Sequence, residues 1–164
     1  MLLTLDHGPD FSLNRMETIL FIARNPAAPI ACDMSAATDS PNERLEEYRQ
    51  LFTESLLRVE RRPGIVEFRF APKPGVRERC IDLASREAAC CPFLGCHLTA
   101  DDDSVSWSMT GDEQIEAVRV FLDMFEDAPA EFLKAPGALA SALERRGVVF
   151  IDGNGTTGFD SEPA

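Results

Sequence analysis

Positive charge is scarce in this chain. Its 164 residues include 16 lysines and arginines against 28 aspartates and glutamates, which gives a net charge of −12. A surface of this kind repels nucleic acid unless a local basic patch exists. The basic residues cluster only at Arg58 with Arg61 and Arg62, and at Arg145 with Arg146. We therefore expect no direct binding to nucleic acid.

Long apolar runs are also missing. The longest run near the start is TILFIA, which is far shorter than the roughly 20 residues that cross a bilayer. The opening MLLTLDHGPD has neither the basic region nor the cleavage site of a signal peptide. We therefore expect no membrane segment and a cytoplasmic location. The five cysteines should then be reduced, and clustered cysteines are more often metal-binding or reactive than disulfide-bonded.

Hydrophobic alternation and capping signals predict the secondary structure. PIACDM alternates like a strand and points Cys32 inward. Ser40, Pro41 and Glu43 form a capping box for a helix that we expect to continue until Pro63. A strand (GIVEFRFAP), a second helix (VRERCIDLASREAACC), a hairpin and a third helix that Thr110 caps follow. The pattern predicts an α+β fold, ordered β-α-β-α-β-β-α, with a small mixed sheet and helices packed on one face.

The composition indicates one domain with extra residues at both ends. Residues 1–28 are an N-terminal extension in which a short amphipathic helix is expected, and residues 29–127 are the cysteine-containing α+β domain. Residues 128–151 should add a helix and a short strand. Residues 152–164, which contain DGNGTTGFDSEPA, have the composition of a disordered tail.

Cysteine is concentrated in one segment, CCPFLGCH, which spans Cys90 to His97. The preceding helix places Cys80, Glu87 and Cys91 on a single apolar face, at about 100° per residue. A carboxylate on that face needs a partner, because burying an unpaired charge is costly. The partner of Glu87 could be an arginine, a backbone N–H, a thiol or a metal ion.

The adjacent pair Cys90–Cys91 can offer two thiolates to a soft ion such as Hg(II), Cd(II) or As(III). Cys32, on the inner face of its strand, would supply a third sulfur. Zinc prefers four ligands, and Cys96 or His97 could provide the fourth. The candidate metal ligands are therefore Cys32, Glu87, Cys90, Cys91 and Cys96.

Packing is the competing explanation for these cysteines. A free cysteine is often buried as a small hydrophobe, and this explanation is favoured for Cys80 and Cys96. Glu87 could equally be a salt-bridged carboxylate of the core. The two histidines, His7 and His97, are expected at the surface.

The arrangement leads to a geometric prediction. If the second helix packs on the face that carries Cys32, then Cys32 should lie within reach of Cys90 or Cys91. Glu87 should point toward the same place, since side chains at positions i and i+4 share a helical face. A separation above about 10 Å would remove the three-sulfur site, because side-chain rotation cannot close it.

Several of these segments resemble a small actinobacterial domain that occurs alone or fused behind the DNA-binding helices of some mercury-resistance-regulator (MerR) superfamily proteins. The matching elements are Ile30-Ala31-Cys32, Arg44-Leu45-x-x-Tyr48 and Glu87-x-x-Cys90-Cys91-x-Phe93. They lie within residues 29–127. The resemblance implies a role near soft-metal or thiol stress. This chain departs from the fused form because it has no DNA-binding module.

Three alternatives for the function follow. The first is a cytosolic module that binds a soft metal or senses thiol stress through the vicinal cysteines. The second is an enzyme with a cysteine nucleophile, such as an organomercury-cleaving lyase, which needs two thiols and a carboxylate. An interaction domain with purely structural cysteines is the third alternative. The sequence also allows a homodimer in which exposed sheet edges pair with each other.

Overall fold

The computed structural model describes residues 15–134, 145 and 150–151. Its elements, in chain order, are β1 (Glu17–Ile22), β2 (Cys32–Asp33), α1 (Pro41–Ser55), β3 (Leu56–Arg62), β4 (Ile65–Phe70), α2 (Val76–Cys90), β5 (Gly95–Ala100), β6 (Val105–Thr110), α3 (Glu116–Lys134) and β7 (Phe150–Ile151). Within this described part, no helix is both long and apolar enough to cross a membrane.

The main sheet has five antiparallel strands in the order β1-β5-β6-β4-β3. Its inner face is fully buried at Phe68 and Trp107, while Glu67 and Ser108 on the opposite face are partly exposed. The helices cover the inner face, so the predicted α+β class is confirmed. Among the described residues, parallel pairing is found only in a separate two-stranded sheet of β2 and β7, so the mixed character that we predicted does not extend to the main sheet.

The predicted start of α1 is confirmed, but its predicted end is wrong. Ser40 Oγ accepts a hydrogen bond from the Glu43 backbone N–H, and the Glu43 carboxylate accepts one from the Ser40 N–H. The helix ends at Ser55, and β3 follows directly. β3 forms a hairpin with β4 through a turn in which Gly64 has φ +75°. Cross-strand pairing with β4 therefore outweighs the helical spacing of the apolar residues.

The helix predicted in the N-terminal extension is also wrong for the described residues. Residues 17–22 form β1, an edge strand that pairs with β5. Thr18, Ile19 and Ile22 are β-branched and favour a strand. Residues 1–14 lie outside the described part of the chain.

The third helix begins later than predicted. Thr110 ends β6, and α3 begins at Glu116. Glu113 is not a capping residue, because its carboxylate accepts hydrogen bonds from the Gly64 N–H and from Arg61. The helix continues through Pro129, so the predicted boundary between residues 127 and 128 falls inside it.

Only parts of the predicted C-terminal elements are described. Residue 145 is helical, and residues 150–151 form β7, as expected for the end of VVFI. Residues 135–144, 146–149 and 152–164 lie outside the described part, which leaves the rest of that helix and the tail as predictions.

Candidate thiol site

The centre of the candidate site is a disulfide between Cys32 and Cys91. Cys32 lies in β2, and Cys91 caps the C-terminus of α2. Their sulfurs are 2.20 Å apart and their Cα atoms 4.8 Å apart. Both residues are buried. The predicted proximity of Cys32 to the vicinal pair is therefore confirmed.

The expected redox state of this pair needs correction. We expected all five cysteines to be reduced. The Cα separation is instead within the range of a disulfide, so the two thiols are bonded to each other. Cys80, Cys90 and Cys96 are free and buried.

Glu87 points toward the disulfide, as predicted. Its Oε2 atom lies 3.8 Å from the sulfur of Cys91, one helical turn further along α2. Its Oε1 atom accepts a hydrogen bond of 3.0 Å from Nη1 of Arg44. Burial raises the pKa of Glu87, and the positive charge of Arg44 opposes that rise. Of the partners considered for this carboxylate, the arginine donates a hydrogen bond and the sulfur of Cys91 lies nearby.

Arg44 joins the carboxylates and the sulfurs of the site. Its side chain is only 4% exposed, and it donates from Nε and Nη2 to the two carboxylate oxygens of Asp39, at 2.6 and 2.7 Å. Nη1 also lies 3.8 Å from the sulfur of Cys90. Burial by itself would lower the pKa of Arg44, but the hydrogen bonds to Asp39 and the charge of Glu87 raise it. Arg44 is therefore a permanent cation inside the site.

Sequence reasoning named Arg44 only in the family resemblance and did not assign it to the site, and it missed Asp39. One signal was present: Arg44 lies one helical turn before Tyr48, on the face of α1 that buries Tyr48, Leu51 and Phe52. An arginine on such a face must have partners in the interior. That requirement, together with the expected burial of Glu87, would have suggested that Arg44 pairs with Glu87.

Cys90 lines a cavity of about 230 Å³ beside the disulfide. Asp33, Asp39, Arg44 and Arg86 contribute charged groups to its walls. Burial raises the pKa of the Cys90 thiol, and the nearby Arg44 acts in the opposite direction. Cys90 is thus adjacent to the bonded pair along the chain but faces a separate space.

Cys96 lies beneath α2, on the inner face of β5. Its sulfur is 3.9 Å from the carbonyl oxygen of Ala84. Burial raises the pKa of the Cys96 thiol to about 12, although Trp107 lowers it in part. Burial also raises the pKa of Cys80 to about 12. Both thiols are therefore protonated at neutral pH, in agreement with a packing role.

Two other polar groups are buried close to Glu87 and Cys96. The hydroxyl of Tyr48 is directed at Glu87 and lowers the pKa of that carboxyl, but it lies outside hydrogen-bond geometry. Nε1 of Trp107 stands beside Cys96 and, like the Tyr48 hydroxyl, has no hydrogen-bond partner among the described residues. His97 lies on the opposite face of the sheet, where Nε2 is 3.2 Å from the hydroxyl of Thr18.

The structure thus divides the five predicted metal ligands. It brings Cys32, Cys91 and Glu87 together, sets Cys90 against Arg44, and packs Cys96 under α2. With Cys32 and Cys91 bonded to each other, no three side chains of His, Cys, Asp or Glu in the described ranges form a group that could hold a metal ion. A metal site would require the reduced pair.

Comparison with protein-family models, with curated proteins and with solved structures gave no match. The functional argument therefore rests on the chemistry of the site.

Proposed function

We propose that this domain is a thiol-stress sensor in which Cys32 and Cys91 cycle between a disulfide and a dithiol. The observation that carries the proposal is the placement of the buried Glu87 carboxylate 3.8 Å from the sulfur of Cys91. A carboxylate in this position is close enough to exchange a proton with the Cys91 thiol when the disulfide is reduced. The sensing pair is Cys32–Cys91 rather than the vicinal pair Cys90–Cys91 that the sequence suggested.

The cytoplasm is the proposed compartment. Disulfides there are kept reduced by the cellular thiol pool, and those that form are usually transient, catalytic or redox-sensing. A bond that forms only under oxidative stress would report that stress by tethering the segment around β2 to the end of α2. The resemblance to domains associated with MerR-superfamily regulators supports a role of this kind.

The dithiol form is proposed to capture a soft ion. Reduction would release two sulfurs whose Cα atoms are 4.8 Å apart, and thiolates select soft metals. Hg(II) accepts two sulfur ligands, so it suits a two-cysteine site. Zinc would need further ligands, and Glu87 is the nearest candidate.

The proposal is tested by redox titration. The full chain is equilibrated in dithiothreitol or glutathione buffers, and the state of Cys32 and Cys91 is read by alkylation and mass spectrometry. Thiol–disulfide exchange proteins have midpoint potentials of roughly −120 to −270 mV, whereas structural disulfides lie below about −300 mV. We expect a value in the first range. A midpoint below about −300 mV would mean that the bond is structural and would overturn the proposal.

Metal capture has its own test. Reduced protein is titrated with Hg(II), and ultraviolet absorption from thiolate-to-metal charge transfer is recorded. Cys32→Ser and Cys91→Ser should each abolish the high-affinity signal, whereas Cys80→Ala should retain it, because Cys80 packs elsewhere along α2. Equal Hg(II) affinity in wild type and both serine variants would place the binding outside this pair.

Organomercury cleavage is a second candidate, because the same three groups meet its chemical requirements. The thiolates of reduced Cys32 and Cys91 would bind the mercury of an R–Hg cation. Protonated Glu87 would then give its proton to the carbon as the carbon–mercury bond breaks, which leaves R–H and Hg(II) held by two sulfurs.

Benzene release from a phenylmercury salt, measured by gas chromatography with reduced protein, tests this activity. Glu87→Gln should stop the release while mercury binding persists. If wild-type protein binds phenylmercury without releasing benzene, the enzyme candidate is excluded and the sensor proposal is unaffected.

A further inference from the structure

The cavity beside Cys90 is lined by a chain neighbour of each cysteine of the disulfide. Asp33, which follows Cys32 in β2, forms part of one wall, and Cys90, which precedes Cys91, forms part of another. A molecule in this cavity would therefore contact Asp33 and Cys90, which are the chain neighbours of Cys32 and Cys91.

Cys90 presents an unused group to this space. The residue is 6% exposed, and its sulfur has a contact with the guanidinium of Arg44 at 3.8 Å. No acceptor for the hydrogen of the Cys90 thiol is found among the described residues. A small molecule that enters the cavity would therefore contact the Cys90 thiol directly, although this thiol is shielded from bulk solvent.

The wall of the cavity carries the carboxylates of Asp33 and Asp39 and the guanidiniums of Arg44 and Arg86, and both guanidiniums also pair with carboxylates outside the wall. Arg44 is shared between Asp39 and Glu87, and Arg86 is shared among Asp39, Glu47 and Asp82. Two guanidiniums are thus matched by a larger number of carboxylates. Asp33 adds one more carboxylate, which accepts a hydrogen bond from the Ser35 N–H and has no ion pair within the described residues. Such a site favours a cationic ligand over an anionic one.

The volume of the cavity also limits the size of the ligand. Drug-sized ligands occupy pockets of roughly 300–1,000 Å³, whereas this cavity has about 230 Å³. The space fits a short aliphatic group of a few heavy atoms and is too small for a bulky peptide thiol.

From the cavity, its charge and its thiol, we propose that Cys90 is an S-thiolation site for small disulfides that carry amino groups. In the reaction, the Cys90 thiolate attacks one sulfur of the small disulfide. A new sulfur–sulfur bond forms at Cys90, the bond inside the small disulfide breaks, and the departing thiolate takes up the proton that Cys90 lost. The small disulfide is the oxidant. This site extends the proposed function and rests on it for its role, because the adduct would stand directly beside the sensing pair.

The experiment uses the full chain with Cys32–Cys91 oxidised and three probes of similar length: cystamine, which is cationic, 2-hydroxyethyl disulfide, which is neutral, and 3,3′-dithiodipropionate, which is anionic. Adducts are counted by intact mass and located by peptide fragmentation at acidic pH. We expect one adduct, on Cys90, and at low ionic strength we expect cystamine to react at least about tenfold faster than the anionic probe. Added salt should reduce that ratio.

Matched variants test the site. Cys90→Ser should lose the adduct, and Asp33→Asn should reduce the preference for cystamine. Asp102→Asn removes an exposed carboxylate at the distant β5–β6 turn and should leave the preference unchanged. Circular dichroism checks that each variant is folded, and Cys90→Ala replaces Cys90→Ser if the serine variant is not.

Three results would overturn the proposal: no adduct in the folded chain, equal labelling of Cys80 or Cys96, or equal rates for the cationic and anionic probes. The redox titration of Cys32–Cys91 is a separate measurement. If the midpoint potential of Cys32–Cys91 lies in the range of exchange proteins but Cys90 forms no adduct, only the S-thiolation site is refuted. If Cys90 forms the adduct but the potential is that of a structural disulfide, only the sensor proposal is refuted.

Discussion

Nη1 of Arg44 on α1 lies 3.0 Å from Oε1 of Glu87 on α2, and this ion pair connects two helices across a buried interface. The side chains are 4% and 13% exposed, respectively. Arg44 also holds Asp39, so a single cation links the loop before α1 to the carboxylate beside the disulfide. The stability of the fold and the chemistry of the site therefore depend on the same side chain.

Replacing Arg44 with methionine should destabilise the protein strongly. The change leaves Glu87 without its cation and leaves Asp39 with Arg86 alone, and removing one partner of a buried pair typically costs about 3–5 kcal/mol. Urea unfolding of wild type and Arg44→Met measures the difference. Arg49→Met is the matched control on the same helix, because Arg49 and Glu46 form an exposed pair and exposed pairs contribute about 0–1 kcal/mol. Equal losses in both variants would contradict the role of Arg44.

Reduction of the disulfide should lower the free energy of unfolding. Cys32 and Cys91 are separated by 59 positions along the chain, and closing a loop of this length restricts the unfolded state. Disulfides of this kind typically contribute about 2–4 kcal/mol. Urea unfolding with and without a phosphine reductant measures the loss. Cys32→Ser should show no response to the reductant, and a response of wild-type size in that variant would assign the effect to another bond.

Asp39 should contribute to acid sensitivity. Its hydrogen bonds from Arg44 hold its pKa below the ordinary value of 3.8, although partial burial acts against them. A carboxyl with a depressed folded-state pKa stabilises the fold above its unfolded pKa, and that contribution disappears as the pH falls through the folded value. The stability difference between wild type and Asp39→Asn should therefore shrink below about pH 3.8. Denaturant titrations between acidic and neutral pH measure this difference in the free energy of unfolding. A difference that grows toward low pH would contradict the prediction.

Gly64 should tolerate alanine less well than Gly75 does. Both glycines have positive φ, +75° and +83°, where an alanine costs about 1–2 kcal/mol. A Cβ atom at Gly64 would also lie 3.0 Å from the carbonyl oxygen of Gly111, whereas one at Gly75 would meet nothing within 4 Å. Thermal unfolding of Gly64→Ala and Gly75→Ala compares the two sites. Equal losses in the two variants would show that backbone strain alone decides the cost, and a larger loss in Gly75→Ala would contradict the prediction.

Local patterns predicted some elements well. The capping box of Ser40 and Glu43 marked the start of α1, because both of its hydrogen bonds join residues three positions apart. The alternation around Val66 and Phe68 identified β4, since side chains two apart share one face of a strand. β3 was missed because Val59 follows Phe52 by seven residues, a helical spacing, and only pairing with β4 makes the segment around Val59 a strand.

The sequence alone determined which chemical groups the site contains and which of them share a helical face. Glu87 and Cys91 are one turn apart on α2, so their proximity follows from helix geometry. The pairing of Cys91 with Cys32 across 59 positions, and the neutralisation of Glu87 by Arg44 from another helix, were decided by tertiary packing. The physical reason is that a helix fixes distances over one or two turns. Contacts between distant segments depend instead on how β2, α1 and α2 pack together.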